Sequence, residues 1–113
     1  MHELTVASEI LEIVKQEVER NSVDKVVGVE LEIGKLSGVD IEALQFALET
    51  IRRGSVIENA VITINSISGR GICRECKEEF EMEDLLSVCP GCMVQSGSIV
   101  HGKELKILSI LAE

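Results

Sequence analysis

One hundred and thirteen residues suffice for one compact domain, or for a small domain carrying a smaller insert, and exclude two full-sized domains. Hydrophobic residues at 45% and charged residues at 27% match an ordinary folded chain and exclude disorder. Eleven basic residues against twenty acidic ones give a formal charge of -9, and Phe46 and Phe80 are the only aromatics. That balance argues against a phosphate backbone, against base stacking and against an anionic membrane surface.

The opening residues Met1, His2, Glu3 and Leu4 include an early acid and form neither a basic leader nor a long apolar run. Neither a secretory signal nor a membrane span is expected there, and the expected location is cytoplasmic. Over residues 4–20, Leu4, Ala7, Leu11, Val14 and Val18 recur at spacings of three and four, which predicts an amphipathic helix. Val27, Val29, Leu31 and Ile33 then alternate with Gly28, Glu30 and Glu32, the period of a strand with one wet face. Residues 34–38 break that strand. Asp40 stands before a second helical stripe of Leu44, Ala47, Leu48 and Ile51, and Arg52, Arg53 and Gly54 close it. An N-cap acid, cations at the end and a following glycine agree on the helix boundaries.

Two further β-rich runs are expected over residues 60–67 and 104–111. Between them the composition shifts: residues 68–102 hold all four cysteines and the only proline. The order helix, strand, helix, strand, insert, strand predicts an α+β fold. It consists of two helices packed on a three-stranded mixed β-sheet, with an inserted C4 zinc-ribbon module. The expected domains are residues 1–68 with 103–113, and an inserted domain at 69–102.

Cys73 and Cys76 form one C-x-x-C pair, and Cys89 and Cys92 form the other. Each pair can wrap two thiolates around one ion, and two facing pairs complete a closed tetrahedral S4 shell. Such a shell supports folding rather than catalysis. Ile72, Phe80, Met82, Leu85, Leu86 and Val88 are few for a core, whereas a structural zinc contributes about 10 to 16 kcal/mol in finger-sized peptides. Iron in the same shell and a redox dithiol are the alternatives, and a reducing cytosol disfavours a disulfide framework.

At the chain end, the Met1 amine, the His2 amide and the His2 imidazole are joined by short chelate rings. Planar nitrogen donors suit nickel(II) or copper(II), and Glu3 could add an oxygen or orient the ring. The competing reading is a frayed terminus in which Glu3 only favours the first helix through its dipole. The residues alone leave both open.

Met1-His2-Glu3-Leu4, the first helix, the run from Glu32 through Gly34, Lys35, Leu36, Ser37 and Gly38 to Val39, the paired C-x-x-C motifs, and Gly102-Lys103-Glu104-Leu105 together resemble the HypA/HybF family over essentially the whole chain. The resemblance implies a nickel metallochaperone for [NiFe]-hydrogenase maturation, in some organisms also for urease. Its implied partners are a HypB-type GTPase and the [NiFe]-hydrogenase large subunit or other maturation factors, and a homodimer stays open. His2 becomes the implied nickel ligand, with Met1, Glu3 and, more weakly, Asp40 beside it, while Cys73, Cys76, Cys89 and Cys92 would hold zinc. Residues 1–68 and 103–113 thereby become the expected nickel-binding domain. His101 lies where some members recruit a histidine, and Leu111 replaces an acid often found near the end. No nucleophile set or phosphate-cradling loop is visible, so no enzyme is expected. A zinc-ribbon adaptor without nickel and a small iron redox protein are the competing functions.

Overall fold

The computed structural model describes residues 3–113. The elements run α1 (Glu3–Asn21), β1 (Val26–Gly34), α2 (Ile41–Ile51), β2 (Val61–Ile67), β3 (Gly69–Cys73), β4 (Glu79–Met82), β5 (Ser96–His101) and β6 (Leu105–Ala112). They form two three-stranded sheets, β2-β1-β6 and β4-β3-β5. The chain divides into two compact units. Among the described residues, one comprises 3–31, 39–65 and 106–113, and the other 32–38 and 66–105.

In the helical unit, α1 packs against α2. Its core takes Val6, Ala7, Ile10 and Val14 from α1, Val26, Val29 and Leu31 from β1, Leu44, Ala47 and Leu48 from α2, and Ile57 and Ala60 from the following loop. The expected α1 stripe is corrected. Leu4 is 55% exposed, and Leu11 and Val18 are only half-buried. Apolar residues on this helix cover more than one face, and the buried arc takes in Val6 and Ile10, which the stripe omitted, beside Ala7 and Val14. The strand expectation also shifts at one end, where Val26 is buried and Val27 half-buried.

The strand directions follow from the contacts of β1. The Asn65 side chain donates to Glu30 at 2.8 Å, and the Val61 carbonyl lies beside Gly28, so residue numbers rise together along β1 and β2. Against β6 they run opposite ways: Leu111 lies beside Gly28, Ser109 bonds Glu30, and the Glu113 amide donates to the Lys25 carbonyl at 2.8 Å. The sheet is therefore mixed, with β1 in the centre.

Local chemistry places α2. Asp40 has extended backbone (φ -82, ψ 112), and its carboxylate accepts the Ala43 amide, as an N-cap should. Gly54, at φ 71, supplies the left-handed position just past the end. Arg52 is the C-cap residue, and its guanidinium serves the following loop, donating to the Ile57, Glu58 and Ala60 carbonyls.

In the second unit β3 is central and antiparallel to both neighbours, with Gly69 opposite Met82 and Arg70 opposite His101. Its buried cluster is Leu36, Cys73, Phe80, Met82 and Cys89, with Cys92, Val94 and Ile99 against it. Leu85 and Leu86, expected among its few apolar contributors, are 57% and 76% exposed, because they occupy the tight Asp84–Ser87 turn. Leu36 takes their place. The Leu36 amide donates to the Gly102 carbonyl at 2.6 Å, and the Gly34 amide to the Glu104 carbonyl at 2.7 Å. A Cβ at Gly34 would run into the Gly102 carbonyl, so this pairing of two glycine-bearing segments excludes side chains there. Gly102 itself adopts φ 115.

Candidate functional site

Cys73 ends β3, and the chain turns at once to bring Cys76 back beside it. The Lys77 amide donates to the Cys73 carbonyl at 3.0 Å, and the Cys73 amide to the Glu78 carbonyl at 2.8 Å. The second pair repeats these bonds: the Met93 amide donates to the Cys89 carbonyl at 2.7 Å, and the Cys89 amide to the Val94 carbonyl at 2.9 Å. Lys77 (φ 66) and Met93 (φ 59) both take the left-handed conformation that reverses the chain after each second cysteine. Two sequence-unrelated pairs thus adopt one turn, which aims four sulfurs at a common point.

The four ligand atoms of Cys73, Cys76, Cys89 and Cys92 all lie within 4.8 Å of one another. Cys76 Sγ and Cys89 Sγ are 3.8 Å apart. A tetrahedral ion with metal–sulfur bonds of about 2.3 Å sets its sulfurs about 3.8 Å apart, so the donor set fits a closed S4 site. Charge points the same way. Amide donation from Cys76, then from Glu75, holds the Cys73 thiol down at about 7 against burial, while the neighbouring Cys76 and Cys73 sulfurs push Cys92 up to about 12. Four adjacent thiolates repel one another, and a dication is what lets all four be deprotonated together.

His101 does not join this cluster. It ends β5, and its Nδ1 lies 3.9 Å from a Glu104 carboxylate oxygen. Sequence reasoning placed all four cysteines but missed Lys77 and Met93. Glycine at those positions would have been the signal, and it is not there.

At the other candidate site, Glu3 and Asp40 are brought together across 37 positions of sequence. The Asp40 amide donates to Glu3 Oε2 at 3.0 Å. That bond favours the ionised carboxylate and holds the Glu3 carboxyl below its ordinary value. One residue therefore caps α2 with its carboxylate and steadies the first turn of α1 with its amide. The expected ligands Met1 and His2 lie outside the described residues.

A family model described as hydrogenase/urease nickel incorporation, metallochaperone, HypA, matches residues 1–112. The chain belongs to the HypA family. It is 42% identical to the hydrogenase maturation factor HypA of Parabacteroides distasonis, over 98% of this chain and 96% of that protein. It is 37% identical to the HypA of Legionella pneumophila over the full length of both. The solution structure of the Ni metallochaperone HypA from Helicobacter pylori superposes with a TM-score of 0.68 at 27% identity, covering 99% of this chain and 97% of that one. HypA proteins serve hydrogenase maturation as metallochaperones rather than as enzymes. This HypA chain carries the four-cysteine metal site described above. Among its described residues no helix is long and apolar enough to cross a membrane.

Proposed function

We propose that this chain binds nickel(II) through the Met1 amine, the His2 amide and the His2 imidazole, and delivers it during [NiFe]-hydrogenase maturation. The observation that supports this most directly is the Glu3–Asp40 bond at 3.0 Å. It ties the residue next to the chelating pair to the start of α2, with two carboxylates at hand. One Glu3 oxygen accepts the Asp40 amide, and the same carboxylate is the proposed ligand or orienter of the imidazole. Asp40 is a weaker ligand, since its carboxylate already caps α2.

Zinc is the proposed resident of the S4 cluster, where it supplies a cross-link between the two knuckles and no open coordination position. The two sites divide the work. Residues 1–68 and 103–113 form the proposed nickel-binding domain and residues 69–102 the proposed zinc-ribbon domain. A terminal site of nitrogen and oxygen donors exchanges ligands with an acceptor more readily than a closed sulfur cage does. Copper(II) binds such nitrogens more tightly than nickel(II), so selectivity falls to metal availability and to the partner. The proposed partners are a HypB-type GTPase and the hydrogenase large subunit, and the proposed location is the cytoplasm, where the thiols stay reduced.

Calorimetry of the His2→Ala variant tests the reading, with zinc content measured alongside. Loss of tight nickel binding with zinc retained is expected. Unchanged nickel affinity would overturn it and favour a zinc-ribbon adaptor that carries no nickel.

A further inference from the structure

The four cysteines of the cluster differ in how far each residue is exposed to solvent. Cys73 and Cys89 are buried, Cys92 is intermediate, and Cys76 is exposed. They also differ in how many amides hold them, since Cys76 accepts from the Glu78 amide and Cys73 from two. Cys73 Sγ accepts amide hydrogen bonds from Glu75 at 3.3 Å and Cys76 at 3.4 Å, which draw on its lone pairs and fix it in place. Cys76 Sγ lies 3.8 Å from Cys89 Sγ, across the two knuckles.

We propose that Cys76 is a peroxide-reactive modification site, whose oxidation joins it to Cys89 and releases the metal. The proposal rests on the reading of zinc in the S4 cluster. Reaction with a peroxide requires a thiolate that solvent can reach, and thiolates react more readily than thiols. Zinc keeps all four sulfurs deprotonated, so access decides which one reacts, and Cys76 has it.

The Cys76 thiolate attacks one oxygen of hydrogen peroxide. A sulfur–oxygen bond forms, the O–O bond breaks, and hydroxide leaves. The Cys89 thiolate then attacks the Cys76 sulfur: the S–S bond forms, the sulfur–oxygen bond breaks, and a second hydroxide leaves. The two sulfurs lose two electrons, the peroxide gains them, and solvent protonates both hydroxides. Cys89 resolves the sulfenic acid because its sulfur is 3.8 Å away and needs only to close to about 2.05 Å. A link from Cys73 to Cys76 would instead pull the Cys73 sulfur from its two amide donors. Two remaining thiolates do not complete a tetrahedral shell, and the ion leaves.

Trypsin separates the candidates, since Arg74 and Lys77 flank Cys76. Cys73 falls in residues 71–74, Cys76 in residues 75–77, and Cys89 with Cys92 in residues 78–103. Zinc content of the full-length protein is measured first, and a zinc-free preparation would defeat the zinc reading before any oxidant is added. Zinc-loaded protein is then treated with hydrogen peroxide, with and without the sulfenic-acid trap dimedone, before digestion and mass spectrometry.

With dimedone, the label is expected on residues 75–77. Without it, that peptide is expected to be linked to residues 78–103 through Cys89, assigned by fragmentation, with one equivalent of zinc lost per link. Labelling chiefly at Cys92 or Cys73, a link from Cys76 to Cys73 or to Cys92, or zinc retained after Cys76 is oxidised would overturn the proposal.

Discussion

The helical unit and the four-cysteine unit are built on different terms. The first buries apolar side chains from two helices, a central strand and a loop, among them Leu31, Leu44, Leu48 and Ile57 at 1% exposure or less. The second has Leu36, Cys73, Phe80, Met82 and Cys89 as its buried cluster, and two of those five are candidate metal ligands. Leu36, Phe80 and Met82, with Val94 and Ile99 against them, are a small apolar set beside the entropy of ordering three strands and two knuckles. The contrast sets a unit with a large apolar core beside a unit whose proposed support is an ion.

Stripping the metal is the largest test of that contrast. A chelator strong enough to empty the S4 site should remove about 10 to 16 kcal/mol of binding free energy from the second unit. Native-state hydrogen exchange followed by NMR should then show β3, β4 and β5 amides losing protection while those of α2 keep theirs. Loss of protection in both units together would mean that the helical unit does not stand on its own core. Retained protection in both would mean that Leu36, Phe80 and Met82 suffice without a metal.

A smaller effect probes the knuckles themselves. Lys77 and Met93 hold left-handed backbone at φ 66 and φ 59, which costs a side-chain-bearing residue roughly 1 to 2 kcal/mol. Glycine removes that strain but adds about 0.5 to 1 kcal/mol of unfolded-state entropy. Lys77→Gly and Met93→Gly should therefore each tighten zinc by about two- to five-fold in a chelator competition. Weaker zinc binding in both variants would show that these side chains do something in the knuckle beyond occupying a strained position.

The two units also differ in how far the sequence revealed them. The bounds of α2 were legible because Asp40 and Gly54 act on backbone within a turn of themselves. The four ligands were legible because C-x-x-C spacing encodes the chelate directly. Contacts set by tertiary packing were not. Leu36 reads as part of a glycine-rich break, and only its bond to Gly102, far along the chain, makes it core. Leu85 and Leu86 read as core and lie in an exposed turn, since hydrophobicity says nothing about which residues a tight turn turns outward. On α1 the apolar residues outnumber the positions that one buried face can accept, so spacing alone chose the wrong edge. The Glu3–Asp40 bond had no local signal at all.

The smallest expected effect lies in the helical unit, at that same bond. Donation from the Asp40 amide lowers the Glu3 carboxyl below its ordinary value of 4.5. A depressed carboxyl contributes stability that is fully present above the unfolded value and is lost as pH falls through the lower folded value. Glu3 is solvent-accessible, so the gain is modest, and titration reads it better than unfolding does. In nickel-free protein, the Glu3 side-chain carboxyl carbon followed by NMR should titrate with a midpoint below 4.5, and the Asp40 amide shift should move with the same midpoint. The shared midpoint is read in an Asp40→Asn variant, so that residue 40 has no carboxyl of its own. It matters because an isolated low value could come from the field of the chain end, whereas a hydrogen bond carries the Glu3 titration to that amide. A midpoint at or above 4.5, or an Asp40 amide indifferent to it, would mean that the first turn of α1 is not tied to the start of α2. The proposed nickel site would then lack the carboxylate pair that supports it.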